Sequence, residues 1–177
     1  METEKTVKFN NLTRCGRFGL VLLLSWLPFF VAAEQFTGVV VGVSDGDTVK
    51  VLDEMKQVHT VRLMGIDAPE KAQAFGQASK QSLSDLIYMK PVSVEWEKKD
   101  KYGRTVGKVL TIEGVDVCKE QLINGMAWHY KKYINEQPPE DRDVYSSAEL
   151  KAQAGHLGLW FDEEPVPPWV WRHSKIR

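Results

Sequence analysis

Cysteine is nearly absent from this chain, with only Cys15 and Cys118 in 177 residues. The two stand on opposite sides of an amino-terminal leader, so a processed chain would keep Cys118 alone and form no internal disulfide. Histidine offers no metal cluster, because His59, His129, His156 and His173 are scattered. Without a cysteine or histidine cluster, a zinc site is excluded. Excess positive charge is missing too, since 23 Lys and Arg stand against 24 Asp and Glu. Attraction to a polyanion has no global source and requires a local basic site or a bound cation. No internal repeat is evident.

What is present begins with a leader. Lys5, Lys8, Arg14 and Arg17 precede an apolar run over 18–33, broken only by Ser25 and Pro28, and Val31, Ala32 and Ala33 end it in small residues. This is the pattern of a secretory signal peptide over 1–33, cleaved before Glu34, with the product periplasmic or secreted. An uncleaved anchor is the alternative, although the run is short for a span of about 20 residues. Cys15 precedes the run, which argues against a lipid-modified cysteine. Removal of the leader takes away four basic and two acidic residues, leaving 144 residues of net charge −3. With 43% hydrophobic and 27% charged residues, that length buries a core without staples in one globular domain.

From Phe36 the chain alternates as half-buried strands do, over 36–43, 48–52 and 58–63, with polar turns Ser44 to Asp47 and Asp53 to Gln57 between them. Three strands on short turns predict an antiparallel meander, leaning toward a curved sheet or small barrel. A helix is expected from Ala72 to Met89, its stripe formed by Phe75, Ser79, Leu83, Leu86 and Ile87, with Pro91 ending it. Strands return at 92–97 and 106–111 around the charged turn 98–104. Asp116 is an N-cap for a helix over 117–124, which Gly125 closes, and Cys118 lies on its inner face as a small apolar side chain. A last helix is expected over 141–154, stopped by Gly155. The Pro- and Trp-rich tail, 164–177, is expected to lie against the domain without regular structure.

The stretch Val61 to Glu70 concentrates Arg62, Asp67 and Glu70 where a strand leaves the core. Pro69 restricts its own backbone and that of Ala68, holding the carboxylates on either side. Alone, this also reads as a capped turn, with Asp67 on turn amides and Glu70 in a first helical turn. In a closed sheet, however, it shares a rim with Asp45 and Asp47 and with Lys101, Tyr102 and Arg104. Carboxylates and a backbone carbonyl suit calcium or magnesium, and two arginines beside them suit a phosphate gaining charge in its transition state. Phosphodiester hydrolysis needs that combination, with a carboxylate to orient or deprotonate water. A glycosidase built on Glu70 and a paired carboxylate would leave both arginines idle.

Asp45-Gly-Asp-Thr48, Arg62-Leu-Met-Gly-Ile-Asp-Ala-Pro-Glu70 and Asp100-Lys-Tyr-Gly-Arg104 resemble, in this order and spacing, the motifs of the staphylococcal nuclease (micrococcal nuclease) family. The likeness runs from about Phe36 to Trp160, including Gly125-Met-Ala127 and Gly158-Leu-Trp160. It implies an α+β domain over 34–163, a five-stranded OB-type β-barrel with three α-helices. It also implies a calcium-dependent nuclease for DNA and RNA, preferring single strands, acting as a monomer and leaving 3′-phosphorylated products. By position, Asp47, Asp67 and the Ala68 carbonyl would hold Ca2+, with Asp45 in the outer shell. Glu70 falls at the general base, Arg62 and Arg104 on the scissile phosphate, and Lys101 and Tyr102 on a neighbouring one. The chain departs from the family pattern in placing Lys131 two residues before Tyr133, where a tyrosine is expected; Tyr130 or Tyr133 then becomes the candidate for base stacking. A non-catalytic OB-fold module binding single strands is the alternative, opposed by retention of Asp47, Asp67, Glu70, Arg62 and Arg104.

Overall fold

The computed structural model describes residues 34–174. The expected signal peptide, with Cys15 and the cleavage point, lies outside the described residues. β1 (Glu34–Val43), β2 (Thr48–Asp53) and β3 (Val58–Leu63) form the expected meander. β4 (Ile66–Asp67) and α1 (Gly76–Ile87) follow, then β5 (Pro91–Lys99) and β6 (Thr105–Thr111). The rest is α2 (Val117–Ile123), β7 (Trp128–His129), a 3-10 helix Lys131–Glu136, α3 (Pro139–Ala154), a second 3-10 helix Gly158–Phe161 and α4 (Pro168–Ser174).

Five strands close into a barrel in the order β1-β2-β3-β6-β5. β1 pairs antiparallel with both β2 and β5, and the one parallel seam, β3 on β6, completes the ring. Register shifts between Val40 and Gly42 and between Trp96 and Lys98 bend the long strands as closure requires. Alternation sends Val40, Val49, Val51, Val61, Leu63, Val92, Val94 and Val109 into one core, all at 2% exposure or less. Leu83 and Ile87 of α1 and Val117, Cys118 and Leu122 of α2 pack on it. Burial pushes the Cys118 thiol up to about 12, so it behaves as the expected apolar side chain.

Four details correct the sequence reading. α1 begins at Gly76 rather than Ala72, because successive turns occupy 70–76: Gln73 N–H donates to the Glu70 carbonyl and Gly76 N–H to that of Gln73. Phe75 is left-handed, at φ 63°, and packs with Trp128, Ala152, Leu159 and Trp160 instead of joining the α1 stripe. β4 and β7, two residues each, form a separate ribbon with no periodicity to announce it. Finally, the tail is not irregular: Val170 and Trp171 N–H groups donate to the Pro167 carbonyl and start α4.

Candidate active site

The three loops do meet. A cavity of about 660 Å³ at the barrel rim is lined by Asp45, Asp47, Arg62, Asp67, Glu70, Lys101, Tyr102, Arg104, Tyr130 and Tyr133, together with Arg172. Register explains the first junction. Thr48 lies opposite Arg62 across β2 and β3, and Leu63 N–H donates to the Asp47 carbonyl at 2.8 Å. Asp47, immediately before β2, is therefore held beside the arginine. Its Oδ2 accepts from Ala68 N–H at 2.6 Å, tying the aspartate loop to the Pro69 turn. From below, Gln121 of α2 donates to the Gly46 carbonyl at 2.8 Å. A Cβ at Gly46 would stand 1.8 Å from Ser79 Oγ, so this close approach requires glycine.

Arg62 is the hub. Its Nη1 donates to the carbonyls of Leu63 and Ile66, each at 2.9 Å, while Nη2 lies 3.0 Å from Asp67 Oδ1 and 3.1 Å from Asp47 Oδ2. Asp47 and Asp67 thus converge on one nitrogen, and both are buried. Burial raises the Asp47 carboxyl to about 7, with Arg62 pulling it down and Asp45 and Asp67 adding to the rise. Asp45 contributes one further bond, accepting from Asp47 N–H at 3.2 Å. β4 is held by β7, and β7 by α3, since His129 N–H donates to Glu149 Oε1 at 2.9 Å. His129 and Trp128, to which the sequence assigned no task, support the strand that carries Asp67.

Arg104 is aimed by Asp100, which accepts from its Nε at 2.7 Å, from its backbone N–H at 3.0 Å and from Tyr102 N–H at 2.9 Å. Tyr102 is exposed, with Lys101 Nζ 5.0 Å and the Arg104 guanidinium carbon 5.5 Å from its ring centre. Tyr130 joins the cavity because its N–H donates to the Gly65 carbonyl at 2.8 Å. One face of Tyr130 is stacked on Trp169 at 5.5 Å and 26°. Tyr133 stands edge-on to Tyr130 at 5.3 Å and is exposed. Of the two stacking candidates, Tyr133 keeps the more accessible ring.

Sequence reasoning named Asp100 within a motif but gave it no role, and it missed Gln121, Trp169 and Arg172. An aspartate four residues before an arginine in a turn was the available signal for Asp100. Arg172 had none, because it binds Asp67 from 105 positions away. Its Nη2 donates to Asp67 Oδ2 at 2.7 Å, and its Nη1 to Asp67 Oδ1 at 3.2 Å and to Glu70 Oε1 at 2.9 Å.

For a cation, the donor chemistry is that of hard oxygen: two convergent carboxylates, one raised toward neutrality by burial among negative neighbours. Among the described residues, no three His, Cys, Asp or Glu side chains are grouped to hold a metal ion. Asp47 and Asp67 carry the oxygen donors that a hard cation takes, and Arg62 pairs with both of them.

A small closed five-stranded barrel brings paired aspartates, a glutamate and three arginines together at one cavity on its rim. The chain belongs to the staphylococcal nuclease family, whose model, described as staphylococcal nuclease homologue, matches residues 60–162. It is 41% identical over 160 residues to an "Uncharacterized endonuclease" of Haemophilus influenzae, covering 88% of this chain and 86% of that protein. To a "Micrococcal nuclease" of Shigella flexneri it is 40% identical over 162 residues, covering 87% and 88%. An "Uncharacterized endonuclease" of Escherichia coli is 39% identical over 156 residues, covering 88% and 95%.

Proposed function

We propose that this protein is an exported, calcium-dependent nuclease that hydrolyses phosphodiester bonds of DNA and RNA. The observation that carries the reading is the convergence of Asp47, Asp67, Glu70, Arg62 and Arg104 on one cavity. Asp47, Asp67 and the Ala68 carbonyl, with Asp45 outside them, would hold Ca2+, which supplies positive charge for a phosphate oxygen when bound. Arg62 and Arg104 bind the phosphate and gain strength as charge builds on its oxygens. Glu70 is half-exposed at the cavity, where it orders an attacking water and accepts its proton. The water oxygen bonds to phosphorus as the bond to the 5′-oxygen breaks, leaving a 3′-phosphate. The leaving 5′-oxygen takes a proton from solvent, and the Arg104 guanidinium stabilises its charge as the bond breaks. Lys101 and Tyr102 contact a neighbouring phosphate, and Tyr133 offers a face to a base. Single strands, which present unpaired bases, suit that arrangement, and the domain acts as a monomer.

Incubating the chain with single-stranded DNA or RNA, in calcium or in chelator, tests this. Cleavage in calcium alone, with 3′-phosphate ends, is expected; binding without cleavage overturns the enzyme reading. Arg62→Ala and Arg104→Ala should each lose at least about a hundredfold in kcat/KM, on the order of 3 kcal/mol of transition-state stabilisation. Mass spectrometry of the mature amino terminus tests cleavage before Glu34.

A further inference from the structure

α4 returns the end of the described chain to the cavity, and it is anchored along the way. Gln73 Nε2 donates to the Val166 carbonyl at 2.5 Å, and Pro168 is buried. Trp169 is stacked on Tyr130 and edge-on to Trp128 at 5.6 Å. One helical turn later, Arg172 places its guanidinium on both oxygens of Asp67 and on Glu70. Asp67 Oδ1 is already shared with Arg62 Nη2. Both oxygens of a proposed cation ligand, and one oxygen of the proposed water-activating carboxylate, are therefore engaged by arginine.

We propose that Arg172 is a built-in counter-cation of the Asp67 and Glu70 pair, which a divalent cation must displace, so that α4 sets the cation affinity of the site. The inference rests on the calcium-dependent reading above. A guanidinium and a metal ion need the same oxygens, so occupancy by one excludes full engagement by the other. Where a binding-competent state is only a fraction of the population, apparent affinity falls by that fraction. Arg172 suits the exchange because its side chain is 40% exposed and can leave toward water, whereas Arg62, at 14%, cannot. Anchoring by Trp169 keeps the helix in place and returns Arg172 when the cation departs. Arg172 is thus a positioning residue, acting through Asp67 and Glu70.

Calorimetric titration of calcium chloride into the full chain measures the competition. R172Q, which keeps α4 and its tryptophans, should bind calcium about tenfold more tightly than the unaltered chain, and R172K should fall between them, since lysine keeps the charge but loses the fork. Equal or weaker calcium affinity in R172Q overturns the inference and leaves the calcium reading intact. No calcium binding by any of the three overturns both. If R172Q fails to fold, R172K decides alone, with about threefold tighter binding expected and unchanged binding overturning the inference.

Discussion

Arg104 can serve a phosphate only if it points at the cavity, and Asp100 is what points it. Burial alone would raise the Asp100 carboxyl, but the Arg104 side-chain bond and the backbone bonds from Arg104 and Tyr102 outweigh it, so it lies below the usual range. A carboxylate depressed in the folded state adds stability above its ordinary value, and that stability is lost as pH falls through the folded value. Asp100→Asn should therefore flatten the fall in stability of the parent below about pH 4, in chemical denaturation at a series of pH values. At neutral pH the same variant should lose about tenfold in kcat with the fold intact, since Arg104 loses its charged anchor. An unchanged kcat would mean that Arg104 is held by something else. The motif around Arg104 was legible in the sequence, because turn chemistry is local: Gly103, at φ 78°, supplies the left-handed residue of a tight turn. The identity of its anchor was equally local, four residues away.

At the scale of elements, strands and two of the three expected helices follow their patterns because burial selects every second or every third-to-fourth residue. α2 shows how completely local chemistry can specify an element. Asp116 accepts from Lys119 N–H at 3.1 Å as N-cap, and beyond Asn124 the left-handed Gly125 and Met126 donate back to Leu122 and Gln121. What no local rule foretold is the use of that cap as a docking point. Leu159 N–H donates to the Gly125 carbonyl at 2.8 Å, and a Cβ at Gly158, itself at φ 55°, would stand 2.3 Å from that oxygen. Gly158→Ala should cost about 2–3 kcal/mol in urea unfolding. It should also disturb Trp160, whose ring meets Trp128 edge-on at 4.3 Å. α4 was legible in part: a proline in a first helical turn sacrifices no intrahelical bond, and Arg172 and His173 sit in its last turn. Its two neighbouring prolines instead suggested an irregular tail.

For the whole molecule, positive charge is local and not global. The net charge of the chain is −1, yet Arg62, Lys101 and Arg104 face one cavity. Few phosphate contacts mean a shallow salt dependence. With three such contacts to a single strand, log kcat/KM should fall against log salt with a slope of about −2 at fixed calcium, and Lys101→Ala should reduce that slope by about 0.7. A slope steeper than about −4 would require basic residues outside the cavity to track the strand. Steady-state rates over a tenfold range of salt would measure it.

By itself the sequence determined the alternating strands, the faces of α1 and α2, the turns that carry Asp47, Asp67 and Arg104, and the family resemblance that those turns spell out. Each is a matter of periodicity or turn chemistry within a few residues, where spacing along the chain is distance in space. Only the tertiary structure decided that β4 pairs with β7, that Trp169 covers one face of Tyr130, that Asp47 rises to about 7 and that Arg172 reaches Asp67. Desolvation and charge interactions depend on distance through space. Barrel closure and the return of α4 create those distances between residues that lie far apart along the chain.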